Sequence, residues 1–251
     1  MSPDWLAGGP WQDVNPRGID VNLRSGPQMR EYVAIANRIA ADRPGRVLDW
    51  GCGWGQMTDL LSRRGVEVEA YDVNPEVSEP TRRPLEHFQP HTALVWGDER
   101  ALPYDDASFD AALSCGVLEH VVDPDASLDE LARVLRPGGT LYVYKLPNRF
   151  SYLERIAKVG GLYYHGRLEN DRLYTPGLAR ALLERHGYEV VELRRANLLP
   201  LSISGRAARR ASKRIWEANQ ALARLPVVNI VATNVELVAR APVASSERSL
   251  R

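Results

Sequence analysis

The sequence predicts a doubly wound α/β domain built on a mostly parallel sheet, and three observations carry that expectation. Short apolar strands alternate with amphipathic helices at the spacing of βαβ units. The first of these strands runs into a glycine-rich turn, Asp49-Trp50-Gly51-Cys52-Gly53-Trp54-Gly55. Carboxylates then recur at three successive strand ends, Asp49, Asp72 and Asp98. In an open α/β sheet such residues meet at the crevice outside the carboxyl ends of the strands.

The first 25 or so residues, with Trp5, Trp11, Pro3, Pro10 and Pro16, read as an irregular arm whose aromatic rings can pack on the body or over a pocket. A helix is expected over Gln28 to Ala41, from the spacing of Met29, Tyr32, Ile35, Ala36 and Ile39, and Pro44-Gly45 stops it. Arg46 to Asp49 is a strand and Gln56 to Arg64 a helix ended by Gly65. Strands follow at Val66 to Tyr71, Thr92 to Trp96 and Phe109 to Ser114. Ala126 to Leu135 is a helix closed by Arg136-Pro137-Gly138-Gly139, before a fifth strand at Thr140 to Lys145.

Beyond Pro147 the rhythm changes. Residues 148–174 form a long aromatic and basic connection with a short helix. Thr175-Pro176 opens a helix to His186, with threonine as cap and proline in the first turn, and Gly187 ends it. Tyr188 to Arg194 is a strand, residues 198–225 form one or two amphipathic helices, and Thr233 to Arg240 is the last strand. The chain therefore divides into an arm and helix (1–45), a cofactor-binding core (46–147), a substrate-side remainder of the same domain (148–241) and a disordered tail (242–251).

Bulk properties bound the function. With 251 residues, 44% apolar and 25% charged, the chain suits one large domain with a core of its own. Formal net charge is zero, so total charge predicts no nucleic-acid partner. Cys52 and Cys115 each fall within a strand-end motif, which suits a reduced, cytoplasmic protein. Met1 to Val14 lack the pattern of a signal peptide, and no apolar run approaches the roughly 20 residues that span a bilayer.

The glycine turn lets a ligand approach the backbone at the positive end of the following helix. A dinucleotide site wants Gly-x-Gly-x-x-Gly, but the spacing here is Gly51-x-Gly53-x-Gly55, with Gln56 in the third glycine's place. This opposes a nicotinamide oxidoreductase. No Gly-Lys-Ser/Thr follows, so a P-loop is excluded. Asp49 would face a pyrophosphate unfavourably but can accept hydrogen bonds from an ammonium group, which suits the methionine moiety of S-adenosylmethionine. Asp72, nineteen positions after Gly53, is placed for both ribose hydroxyls, and Asp98 for the adenine amino group.

On these residues the sequence resembles the class I S-adenosylmethionine-dependent methyltransferases, particularly the branch with the ubiquinone-biosynthesis O-methyltransferases. The matching stretches are Val47 to Gly55, Tyr71-Asp72, Gly97 to Pro103, Ser108-Phe109-Asp110, Gly116-Val117-Leu118-Glu119-His120-Val121 and Leu131 to Gly139. The resemblance implies a Rossmann-like, seven-stranded sheet whose last strand is antiparallel, with helical lid insertions. It implies S-adenosylhomocysteine as product, and a cofactor set of Asp49, Gly51, Cys52, Gly53, Asp72, Val73, Asp98, Glu99, Cys115 and Gly116. Some relatives bind a divalent metal through Glu-x-x-Glu-His; here Gly116 takes the first acidic position, so metal-independent activity is expected.

His120, following the fourth strand, is the first candidate for a base, with helix capping or backbone bonding as the alternative. His165 is the second; it lies in the long connection, near the place where many relatives carry a histidine and this chain carries Asp171. Tyr163, Tyr164, Arg167 and Arg172 are candidates for the acceptor pocket. Residues 202–225 carry Arg206, Arg209, Arg210, Lys213, Arg214 and Arg224 against Glu217 alone. They form a lid over an anionic or lipid-linked acceptor, a peripheral membrane contact, or a solvated basic face on a packed helix. The expected activity is O-methylation of a small natural-product, sugar or lipid-linked hydroxyl. N- or C-methylation, or a non-catalytic module that binds S-adenosylmethionine, are the alternatives.

Overall fold

The structure, a computed structural model, describes residues 25–53, 55–73, 94–161, 171–203 and 205–243. The aromatic arm (1–24), residues 162–170 with Tyr163, Tyr164, His165 and Arg167, and the tail from 244 lie outside the described residues. The first half runs α1 (Gly26–Ala41), β1 (Arg46–Trp50), α2 (Gln56–Ser62), β2 (Glu67–Asp72), β3 (Leu94–Trp96), β4 (Phe109–Cys115) and α3 (Pro124–Val134). The second runs β5 (Leu135–Pro147), α4 (Tyr152–Val159), α5 (Pro176–Arg185), β6 (Glu189–Ala196), α6 (Arg206–Leu222), a 3-10 turn (Val228–Val231) and β7 (Asn234–Arg240).

The described strands form one seven-stranded sheet in the order β3-β2-β1-β4-β5-β7-β6. Pairs from β3 to β5 are parallel, while β7 runs antiparallel to both β5 and β6. This is the doubly wound sheet with an antiparallel last strand that the resemblance implies. The order reverses between β1 and β4, and a ligand crevice is expected at such a switch point.

Strand periodicity of two splits the core between the faces. Leu48, Trp50, Ala112, Leu141 and Leu237 pack with Leu128 and Leu131 of α3 and Leu183 of α5. Val47, Leu113, Tyr142 and Tyr144 pack on the other side with Ile35 and Ile39 of α1 and Leu60 and Leu61 of α2. The Thr175 hydroxyl caps α5 by accepting from Leu178 N at 3.2 Å, as the Thr-Pro pair predicts. The Asp123 carboxylate does the same for α3 through Ala126 N at 3.1 Å, so this helix starts earlier than its apolar spacing indicates.

One local reading changes. The fifth strand begins at Leu135 rather than Thr140, because Gly139 O accepts from Ala241 N at 2.7 Å and Leu135 pairs with Phe109. Between Leu135 and Thr140 the strand bulges, and Gly138, with φ +74°, supplies the left-handed turn of that bulge. Residues 206–222 form a single helix, α6. Strand β6 lies at one edge of the sheet, where Glu189, Val191, Glu192 and Arg194 are the more exposed of its positions and Arg195 is half-buried.

Gly51 joins β1 to the site and has φ +74°. A Cβ there would lie 2.5 and 2.6 Å from the two methyl groups of Val117. Gly51→Ala is therefore expected to combine left-handed strain with overpacking, at a cost of roughly 2–5 kcal/mol. Urea unfolding of the variant checks this, and a midpoint equal to the parent's would contradict it.

Candidate functional site

The turn after β1 is stitched to β2 by its backbone. Gly51 N and Cys52 N donate to Tyr71 O at 2.8 and 2.9 Å. Gly53 N donates to Asp72 Oδ2 and Val73 N to Asp72 Oδ1, both at 2.8 Å. Gly53, with φ +51°, has no described residue within 4 Å of where a Cβ would sit, which leaves room for a ligand against its backbone.

Asp49 lies on the α2 side of the sheet and is 2% exposed. Its Oδ2 accepts from the Thr58 hydroxyl at 2.6 Å, and the Thr58 backbone N–H donates to the same carboxylate. A neighbouring strand thus satisfies one of the open N–H groups at the start of α2, whose own cap residue, Gly55, has no side chain to do so. Burial raises the Asp49 pKa to about 7; Thr58 opposes the shift and the nearby Asp72 charge adds to it.

A cleft of about 330 Å³ opens at the switch point. It is lined by Trp50, Gly51, Gly53, Asp72, Val73, Glu99, Gly116, Val117, His120 and Val121. Six of the ten residues expected to hold the cofactor therefore line one cavity: Gly51, Gly53, Asp72, Val73, Glu99 and Gly116. Asp49 and Cys52 are buried behind the turn. Cys115 packs toward α1, and burial raises both thiol pKa values well above the ordinary range, so both stay protonated.

Asp98 is not in the cleft wall. Arg100 takes its carboxylate in a fork, Nε to Oδ1 at 3.0 Å and Nη2 to Oδ2 at 2.7 Å, which holds its pKa near 2. Glu99 lines the cleft in its place, with Oε1 accepting from Val122 N at 2.8 Å. The Arg172 guanidinium donates to Val121 O and, at 3.0 Å, to Val122 O, beside the cleft residue Val121.

His120 stands in the cleft wall with 41% of its side chain exposed. Its Nδ1 lies 2.8 Å from Asp171 Oδ1, and its Nε2 lies 3.8 Å from Glu119 Oε1. The site contains residues that the sequence reading did not nominate. Trp50, Val117 and Val121 supply the apolar wall, Thr58 holds Asp49, and Asp171 holds His120.

Among the described residues, helix α6 supplies none of those that line this cleft. Its inner side lies on α1, with Ser212 and Asn219 buried and Arg30 Nε donating to Ser212 Oγ at 2.9 Å. Its five basic residues, and Arg224 just beyond it, are exposed. Among the described residues no helix is long and apolar enough to cross a membrane, and no group of three or more His, Cys, Asp or Glu is arranged to hold a metal ion.

These features fit an S-adenosyl group. The cleft offers an open glycine turn, an apolar wall formed in part by Val73, Val117 and Val121, and an anchored carboxylate, Asp72, able to accept from ribose hydroxyls.

Residues 48–143 match the family model described as a methyltransferase domain. A ubiquinone biosynthesis O-methyltransferase of Xylella fastidiosa is 39% identical over 155 residues, 61% of each chain. An uncharacterized methyltransferase of Mycobacterium tuberculosis is 44% identical over 96 residues, 38% of this chain and 37% of that one. The matches thus span less than two thirds of these relatives' length. Among solved structures, one from Thermotoga maritima described as a possible histamine N-methyltransferase has a TM-score of 0.58 at 18% identity, covering 88% of this chain and 91% of that one. The 4+2 cyclase SpnF has a TM-score of 0.58 at 21% identity, covering 86% and 82%. At these identities the structural likeness concerns the fold, and a fold hosts more than one chemistry.

Proposed function

We propose that this chain, whose residues 48–143 belong to the methyltransferase-domain family, transfers a methyl group from S-adenosylmethionine to a small-molecule hydroxyl without a metal ion. The observation that carries the reading is that Asp72 and His120 line one cleft, so a carboxylate suited to ribose and a candidate base share a cavity. The 39% identity to a ubiquinone biosynthesis O-methyltransferase supports oxygen as the methylated atom. Gly116, in place of a carboxylate, supports metal independence.

S-adenosylmethionine, when bound, supplies an electrophilic methyl group on a sulfonium. Asp72 would accept from the ribose hydroxyls, held by Gly53 N and Val73 N so that little reorganisation is needed. Val73, 41% exposed in the cleft, would give the adenine an apolar surface. His120 would take the acceptor's hydroxyl proton as the oxygen attacks. Holding both reactants in attack geometry is the larger contribution, about 7–11 kcal/mol in well-oriented systems.

Calorimetric titration with S-adenosylhomocysteine and with NAD, followed by S-adenosylhomocysteine release against a panel of phenols, sugars and polyketides, tests the reading. Binding of NAD alone would refute it. Asp72→Ala should weaken S-adenosylhomocysteine about 10- to 100-fold, since a hydrogen bond to a charged group is worth about 1.5–3 kcal/mol. An unchanged affinity in a folded variant would remove Asp72 from the ribose role.

A further inference from the structure

We infer that Asp171 and Arg172 form a strap that fixes the tautomer and orientation of His120, making Asp171 a positioning residue for the base; this rests on the methyltransferase reading above. The contact joins residues 51 positions apart and brings the approach to α5 onto the segment after β4. Arg172 N donates to Glu119 O at 3.0 Å, and the Arg172 guanidinium donates to Val121 O and Val122 O. Together with Asp171 on His120, two consecutive residues hold positions 119 to 122. The Asp171 side chain is 1% exposed, whereas His120 opens to the cleft.

The chemistry of this pair is directional. A carboxylate only accepts, so a neutral His120 must carry its proton on Nδ1 to donate to Asp171 Oδ1. The lone pair then belongs to Nε2, which lies 3.8 Å from Glu119 Oε1. An imidazole without such a partner favours the opposite tautomer, with the proton on Nε2 and no lone pair available there. Asp171 also stabilises the imidazolium once the proton has been taken, as a buried carboxylate does for the histidine of a hydrolase triad.

The test is long-range 1H–15N correlation on 15N-histidine-labelled protein at about pH 8.5, where an ordinary imidazole is neutral. The parent should show His120 as the Nδ1–H tautomer. Asp171→Asn should move it toward Nε2–H, leave S-adenosylhomocysteine affinity unchanged and lower turnover about 100-fold or more through kcat. Asp171→Glu should restore part of the parent's spectrum. An Nε2–H tautomer in the parent overturns the inference, and so does a parent-like tautomer in folded Asp171→Asn; the parent's spectrum decides even if that variant does not fold. Should the parent show Nδ1–H while His120→Ala still turns over, His120 is not the base although the strap positions it.

Discussion

Replacing His120 with alanine is expected to cut turnover about 10²- to 10⁴-fold while the affinity for S-adenosylhomocysteine stays within about threefold of the parent's. The imidazole is in the cleft wall, yet its Nδ1 is committed to Asp171 and none of the described groups that stitch the glycine turn to Asp72 involves it. Its removal should therefore spare the cofactor half of the site. Turnover with the best acceptor from the panel and calorimetric affinity give the two readouts. Equal losses in both would mean that His120 holds the cleft together and moves no proton.

Asp49→Asn is expected to change the stability of the fold by an amount that depends on pH. Burial raises the Asp49 pKa to about 7 in the folded chain, against an ordinary value near 4 in the unfolded one. The folded state therefore holds this proton more tightly than the unfolded state does. The group's favourable contribution is fully present below the unfolded pKa and is lost as pH rises through the folded one. Asparagine cannot ionise, and its Oδ1 can still accept from Thr58. The variant should be more stable than the parent by on the order of 2–4 kcal/mol above pH 7, and the gap should close toward pH 4. If Asp49 also attracts the methionine ammonium, the same variant should bind S-adenosylhomocysteine less tightly. Urea unfolding at several pH values tests the first statement, and a gap that does not change with pH would contradict it.

How much of this was legible beforehand depended on how local each cause was. The strand-turn-helix at Val47 to Gln56 follows from adjacent residues, and period two alone places Asp49 opposite Trp50. Thr175-Pro176 carries its cap in two residues, so its helix start was readable. The start of β5 was not, because Leu135 and Gly139 join the strand through partners at Phe109 and Ala241, far along the chain. Asp98 is legible from its strand-end position, whereas its pairing with Arg100, two residues on, is a side-chain contact that strand-end position does not disclose. Asp171 is hidden for the opposite reason: nothing in its neighbourhood points to His120, and only the return of residues 171–174 beside residues 118–122 brings the two within 2.8 Å.

The exposed edge at β6 bears on how the protein behaves in a crowded solution. An open strand edge offers a row of unpaired amide and carbonyl groups, a template on which another chain can add a strand. Here that edge reads Glu-Val-Val-Glu-Leu-Arg-Arg, so a strand arriving in register would meet fixed charges of both signs at close intervals. Stacking a second copy there would strip water from those charges, and a flat β-addition becomes unfavourable. Charge placement at β6 thus guards the sheet against aggregation, a task separate from anything done at the cleft.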